Sequence, residues 1–159
     1  MSAIRGLLDS NEKVSKLLTD GYFLSSIIVM TDSFSTPPKQ VMVNLYNKSK
    51  NELASFSFNG NDLEFSGLSP PMKESEIPPL NIDKACAKPE DILSKCKTKV
   101  QAENIARVML VLRTSTNSKS EAGPSWHVNI FLKNLKALSI IFDAENGEEI
   151  ASTQMKMFK

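Results

Sequence analysis

"WHVNIFLKNLKALSIIFDAENGEEIAS", residues 126–152, decides the fold. Trp126, Val128, Ile130 and Leu132 alternate with His127, Asn129, Phe131 and Lys133, the period of a strand with one face on a core. The first set is uniformly apolar and is expected inward, against a helix; Phe131 then lies outward with His127. "LSIIF" (138–142) reads as a second strand and "EEIAS" (148–152) as a third. Between these two stand Asp143, Glu145, Glu148 and Glu149, around Asn146-Gly147. A calcium loop of the EF-hand kind needs alternating oxygen ligands, glycine at the sixth position and an acid at the twelfth. Counted from Asp143, glycine comes fifth and the twelfth residue is Gln154. A two-residue Asn-Gly loop would oppose Glu145 and Glu148, like charge on like charge. A three-residue loop, Glu145-Asn146-Gly147, avoids this, sets Phe142 opposite Ile150, and gives glycine the left-handed position of a bulge. The acids therefore read as a hairpin tip and not as a metal site or acid–base pair.

Upstream, "KPEDILSKCKTKV" (88–100) reads as a helix. Pro89 suits its first turn, Glu90 and Asp91 favour its positive end, and Lys95, Lys97 and Lys99 its negative end. "ARVMLVLRT" (106–114) is a strand apolar on both faces, followed by the polar loop "STNSKSEAGPS". The first part of the chain shows the same order. Ile4, Leu7, Leu8, Val14, Leu17 and Leu18 form a helical stripe over 3–19, with "DSNE" (9–12) at capping-box spacing where the helix starts or kinks. "YFLSSIIVM" (22–30), "VMVNLY" (41–46), "ASFSF" (54–58) and "DLEF" (62–65) read as strands, the last two flanking a two-residue turn at Asn59-Gly60.

Five of the eight prolines fall between residues 67 and 91, which makes 67–88 an extended connector with few backbone donors. The expected architecture is α+β: two tandem helix-plus-antiparallel-sheet units, 1–66 and 89–159, joined by 67–88, with their two sheets side by side or face to face. Their repeated order points to an internal duplication, against the rival of one continuous mixed sheet without symmetry.

Composition narrows function. The formal net charge is +1, so no long-range field steers the chain to nucleic acid or anionic lipid. Only Arg5, Arg107 and Arg113 supply the planar fork that phosphate recognition favours. No stretch is long and apolar enough for a membrane-spanning helix. With Met1 as the native start no export signal is legible and the chain is cytoplasmic; had a signal segment been removed ahead of it, the chain is exported. Cys86 and Cys96 lack metal-ligand spacing and read as two free, partly buried thiols, with a structural disulfide between them as the rival reading. His127, the only histidine, has no legible nucleophile or orienting acid. No catalytic residue, cofactor or metal site is expected, and the chain reads as a non-enzyme.

Trp126 and Val128, followed by Asp143, Ala144, Gly147 and, one residue late, Ile150, resemble the Trp-x-Val strand and Asp-Ala-x-x-Gly hairpin of the PepSY-like small domains. The resemblance covers about residues 89–152. It implies a helix packed on an antiparallel sheet, as in PepSY-like and cystatin-like domains, and a non-catalytic inhibitory or protein-binding role, often outside the cytoplasm. The candidate partner surface is Phe131, His127, Asp143, Glu145 and Glu148. A second reading is a small-molecule or lipid carrier with an apolar pocket between helix and sheet, lined by Met30, Met42, Met72 and Met109.

Overall fold

The computed structural model describes residues 2–34, 38–71, 77–116 and 122–156. Helices α1 (Ser2–Ser10) and α2 (Glu12–Thr19) lead into strands β1 (Phe23–Thr31), β2 (Gln40–Asn47), β3 (Glu52–Phe58) and β4 (Leu63–Ser69). Helix α3 (Pro89–Cys96) leads into β5 (Ile105–Thr116), β6 (Ala122–Leu132), β7 (Lys136–Asp143) and β8 (Glu149–Lys156). All eight strands form one antiparallel sheet in the order β4-β3-β2-β1-β5-β6-β7-β8.

The α+β class is as expected, but the two expected sheets are a single sheet. Strands β1 and β5 pair from Ser26↔Arg113 to Thr31↔Val108, and the other strands fan out from this seam. Both seam strands are apolar on both faces. Apolar residues on two faces are best sheltered in a central strand flanked on both sides, whereas at an edge they would invite aggregation.

One apolar row crosses the sheet beneath the helices. Phe65, Phe56, Val43, Ile27, Leu112, Trp126 and Phe142 lie side by side on consecutive strands. Phe56, Val43, Ile27, Leu112 and Trp126 are fully buried. Leu8, Val14 and Leu17 of α1 and α2, and Ile92, Leu93 and Cys96 of α3, join them in one core. Trp126, Val128 and Ile130 therefore face inward toward the core that holds Ile92 and Cys96, while Leu132 is only half-buried.

Local chemistry explains most boundaries. The helical stripe breaks at Asn11, and it is Asn11, not Asp9, that caps α2, its Oδ1 accepting from Val14 N at 3.1 Å. Pro89 opens α3. The β3–β4 connection spans four residues rather than two, because Phe58 pairs with Leu63 and Asn59 Oδ1 accepts from both Asn61 N and Asp62 N. The connector begins later than expected, since residues 67–69 extend β4, and Ile82–Lys84 form a 3₁₀ turn. Strands β5 and β6 reach into the expected polar loop, pairing as far as Thr116↔Ala122. Residues 117–121 of that loop, and Met72, lie outside the described residues.

Candidate interaction face

The hairpin between β7 and β8 is a turn, as its spacing predicts, with a register one residue from expectation. Phe142 pairs with Glu149, not Ile150; Ile150 is the extra residue of a bulge before Ile141↔Ala151. Gly147 takes a φ of +77°, which glycine adopts without steric cost. Asp143 Oδ1 accepts from Glu145 N at 2.7 Å and Asn146 Oδ1 from Glu148 N at 2.8 Å. The polar side chains of the loop thus satisfy its own backbone. Lys95 Nζ donates to the Gly147 carbonyl, and Lys99 pairs with Glu149, fastening the hairpin to α3 and to the turn that follows it.

The face of the sheet opposite the helices is different in kind. Met42, Ile28, Val111, His127 and Ile141 form one row across consecutive strands, each half-buried. A parallel row runs Ser55, Asn44, Ser26, Arg113, Ser125, Asp143. Ser55 Oγ donates to Asn44 Oδ1 at 2.8 Å and Asn44 Nδ2 to Ser26 Oγ at 3.0 Å. Arg113 Nη2 approaches His127 Nδ1 at 3.5 Å. Guanidinium can only donate, so that ring nitrogen serves as the acceptor. Arg113 Nε is buried without a hydrogen-bond partner among the described residues. On a third row Met30, Met109, Asn129, Ser139 and Thr153 follow one another, with Ser139 Oγ bonded to Asn129 Oδ1 at 2.7 Å.

The expected partner residues are brought together only in part. His127 and Phe131 share this open face, Phe131 lying between Arg107 and Ala137. Asp143 neighbours Ser125 at the far end of β6, six residues and roughly 20 Å from Phe131. Glu145 and Glu148 are exposed on the hairpin tip. Met30, Met42 and Met109, expected to line a pocket under a helix, sit on the face away from the helices; the space between helices and sheet is filled by Trp126, Phe56 and their neighbours. Sequence reasoning missed Arg113 and the serine–asparagine row. Each strand's alternation was readable, but which strands adjoin, and so which polar residues form one row, follows from the β1–β5 seam.

Two open clefts lie beside α3 and the segment that follows it. One lies between α3 and the hairpin, with Cys86, Asp91, Lys95 and Glu145 on its walls. The other is bordered by Phe34, Lys97, Lys99 and Glu103. Among the described residues no group of three His, Cys, Asp or Glu converges as metal ligands would. No helix there is long and apolar enough to cross a membrane.

No protein-family model matches the chain, and no curated protein matches it. Its fold is shared with a candidate lipoprotein from Clostridium difficile 630, with a TM-score of 0.55 at 10% identity over 89% of this chain and 88% of that one. The C-terminal domain of YpeB from Bacillus megaterium aligns over 94% of this chain and 65% of that chain at 19% identity, with a TM-score of 0.29, too low to count as a shared fold.

Proposed function

We propose that this chain is a non-enzymatic protein-binding or inhibitory module of PepSY-like type, which receives its partner on the open sheet face. One observation carries the reading. The rows around Val111 set half-buried Met and Ile side chains beside an Arg and a fixed serine–asparagine network, with no described helix over them. Interface cores combine such apolar anchors with arginine, and Met repacks readily around a partner. The buried Arg113 Nε is a donor that a partner's carbonyl or carboxylate would satisfy.

The residues of the PepSY-like resemblance fill structural roles: Trp126 and Val128 in the core, Ala144 buried, Gly147 at the turn. They support a scaffold and leave recognition to the face behind it. The strand order, running outward from β1 on one side and from β5 on the other, supports 1–66 and 89–159 as duplicated units joined by 67–88. The fold shared with a candidate lipoprotein supports export. The filled space between helices and sheet disfavours the carrier reading.

The test is site-specific photo-cross-linking in the native host, with the reactive group at Val111 and, as control, at exposed Lys16 of α2. A discrete protein adduct from position 111, absent at 16 and lost when Arg113→Glu is added, is the expected result. Equal adducts at both positions, or none at 111, would remove the open face from consideration. A small molecule retained in native mass spectra would favour the carrier.

A further inference from the structure

The pairing register of the six central strands has a two-fold relation about Ile28 and Val111, which pair across the β1–β5 seam. Exchanging these two exchanges Met42 with His127, their neighbours on β2 and β6. Two residues further along, it exchanges Asn44 with Asn129, and Ser55 with Ser139 on β3 and β7. The chemistry follows the geometry. Ser55 Oγ donates to Asn44 Oδ1 at 2.8 Å, and Ser139 Oγ to Asn129 Oδ1 at 2.7 Å. The open face therefore has an apolar centre with the same polar pair on either side.

The two sides differ most in charge. Where one has Met30 and Met42, the other has Arg113 and His127, with Arg113 Nη2 3.5 Å from His127 Nδ1. Arg113 is half-buried and makes no ion pair among the described residues. Asp143, the carboxylate on its row, stands two strands away, about 10 Å, with its Oδ1 taken up by Glu145 N. The other outward charge on β5 is again an arginine, Arg107. An incoming carboxylate would complete a cation that is partly shielded from water and has no anion beside it.

We propose that Arg113, steadied by His127, is the specificity-determining contact of this face, and that it receives an aspartate or glutamate side chain of a protein partner. The inference rests on the open face being the receiving surface, as proposed above. The surroundings select a carboxylate among anions. One guanidinium matches the two oxygens of a carboxylate, whereas phosphate-reading sites gather several arginines. Met42, Ile28, Val111 and Ile141 on the adjoining row would cover apolar side chains flanking the acid. A net charge of +1 gives no pull toward nucleic acid.

In the test, random peptides displayed on phage are panned on the whole chain, and binders are located by the side-chain amide NMR signals of Asn44 and Asn129. Binders at the face should carry an Asp or Glu beside apolar residues. Exchanging that acid for its amide in the synthetic peptide should weaken binding about 10–100-fold, and Arg113→Met should do the same. The two changes combined should weaken it no further than either alone. Arg113→Lys, which keeps the charge but not the fork, should fall in between, and it reads the contact if Arg113→Met fails to fold. Binders that shift both amides but contain no acid, or that ignore Arg113→Met, would overturn this inference and leave the open face as the binding surface. So would tighter binding of a phosphoserine in place of the acid. Binders that leave both amides unmoved, or an absence of binders, would overturn the function proposed above and this inference with it.

Discussion

The indole Nε1 of Trp126 donates to the carbonyl of Ala87 at 2.9 Å, and the amide of that same Ala87 donates to the Ala144 carbonyl at 2.8 Å. One connector residue therefore ties the middle of the sheet to the β7–β8 hairpin. Trp126 is fully buried, so iodide should barely quench its fluorescence in the native protein. Trp126→Ala should cost about 3–5 kcal/mol in urea denaturation. Trp126→Phe keeps much of the apolar volume but orphans the Ala87 carbonyl, at about 1–3 kcal/mol. Ready quenching in the folded state would contradict this placement.

Gly147 and Gly60 separate strain from crowding. Both have positive φ, +77° and +101°, where an L side chain costs roughly 1–2 kcal/mol. A Cβ at Gly147 would also meet Lys95 Nζ at 3.0 Å and Ala87 Cβ at 3.7 Å, whereas at Gly60 it meets nothing within 4 Å. Gly147→Ala should therefore lower the urea midpoint more than Gly60→Ala. Equal losses would mean that the Lys95 contact gives way freely.

Asn11 serves two elements at once. Its Oδ1 caps α2, and its Nδ2 donates to the Leu63 carbonyl at 3.0 Å. Asn11→Ala should cost about 0.5–2 kcal/mol for the cap alone, plus the tie to β4. Asn11→Asp keeps the cap acceptor but offers the Leu63 carbonyl no donor, so its melting temperature should fall between wild type and Asn11→Ala. An Asn11→Asp variant as stable as wild type would show that the tie to β4 contributes nothing.

How far the sequence was readable depended on the range of the interaction concerned. Pro89 at the start of α3, the turn at Gly147 and the alternation of Trp126 with His127 are local, and their steric or periodic causes lie within a few residues. The stagger of Phe142 on Glu149 was missed by one residue because a bulge trades one residue of register for a better loop. The β1–β5 seam joins residues as distant as Ser26 and Arg113; both strands carry the apolar pattern of a central strand, but nothing local names the partner. The polar row through Asn44 and Arg113 depended on that seam and was invisible for the same reason.

The two thiols should differ in chemistry as well as in place. Cys86 is exposed and Cys96 buried, both free. Burial pushes the Cys96 thiol up from 9.0 to about 12, with Glu149 adding to the rise and Lys99 opposing it. Thiolate is the reactive form, so a disulfide exchange reagent at neutral pH should titrate Cys86 alone in the native protein and both thiols after unfolding. The raised value also fixes the sign of a stability effect. The unfolded chain ionises this thiol more readily than the folded one, so folding is favoured by the neutral form. That contribution is fully present below about pH 9 and is lost as pH rises toward about 12. The measurement is a difference between wild type and Cys96→Ala, which cancels what the rest of the chain contributes. The variant should start less stable, because a buried side chain has been shortened, and should lose less stability per pH unit above about pH 9. If both proteins decline in parallel, or if native Cys96 reacts as fast as Cys86, the thiol is not sheltered in the core as described.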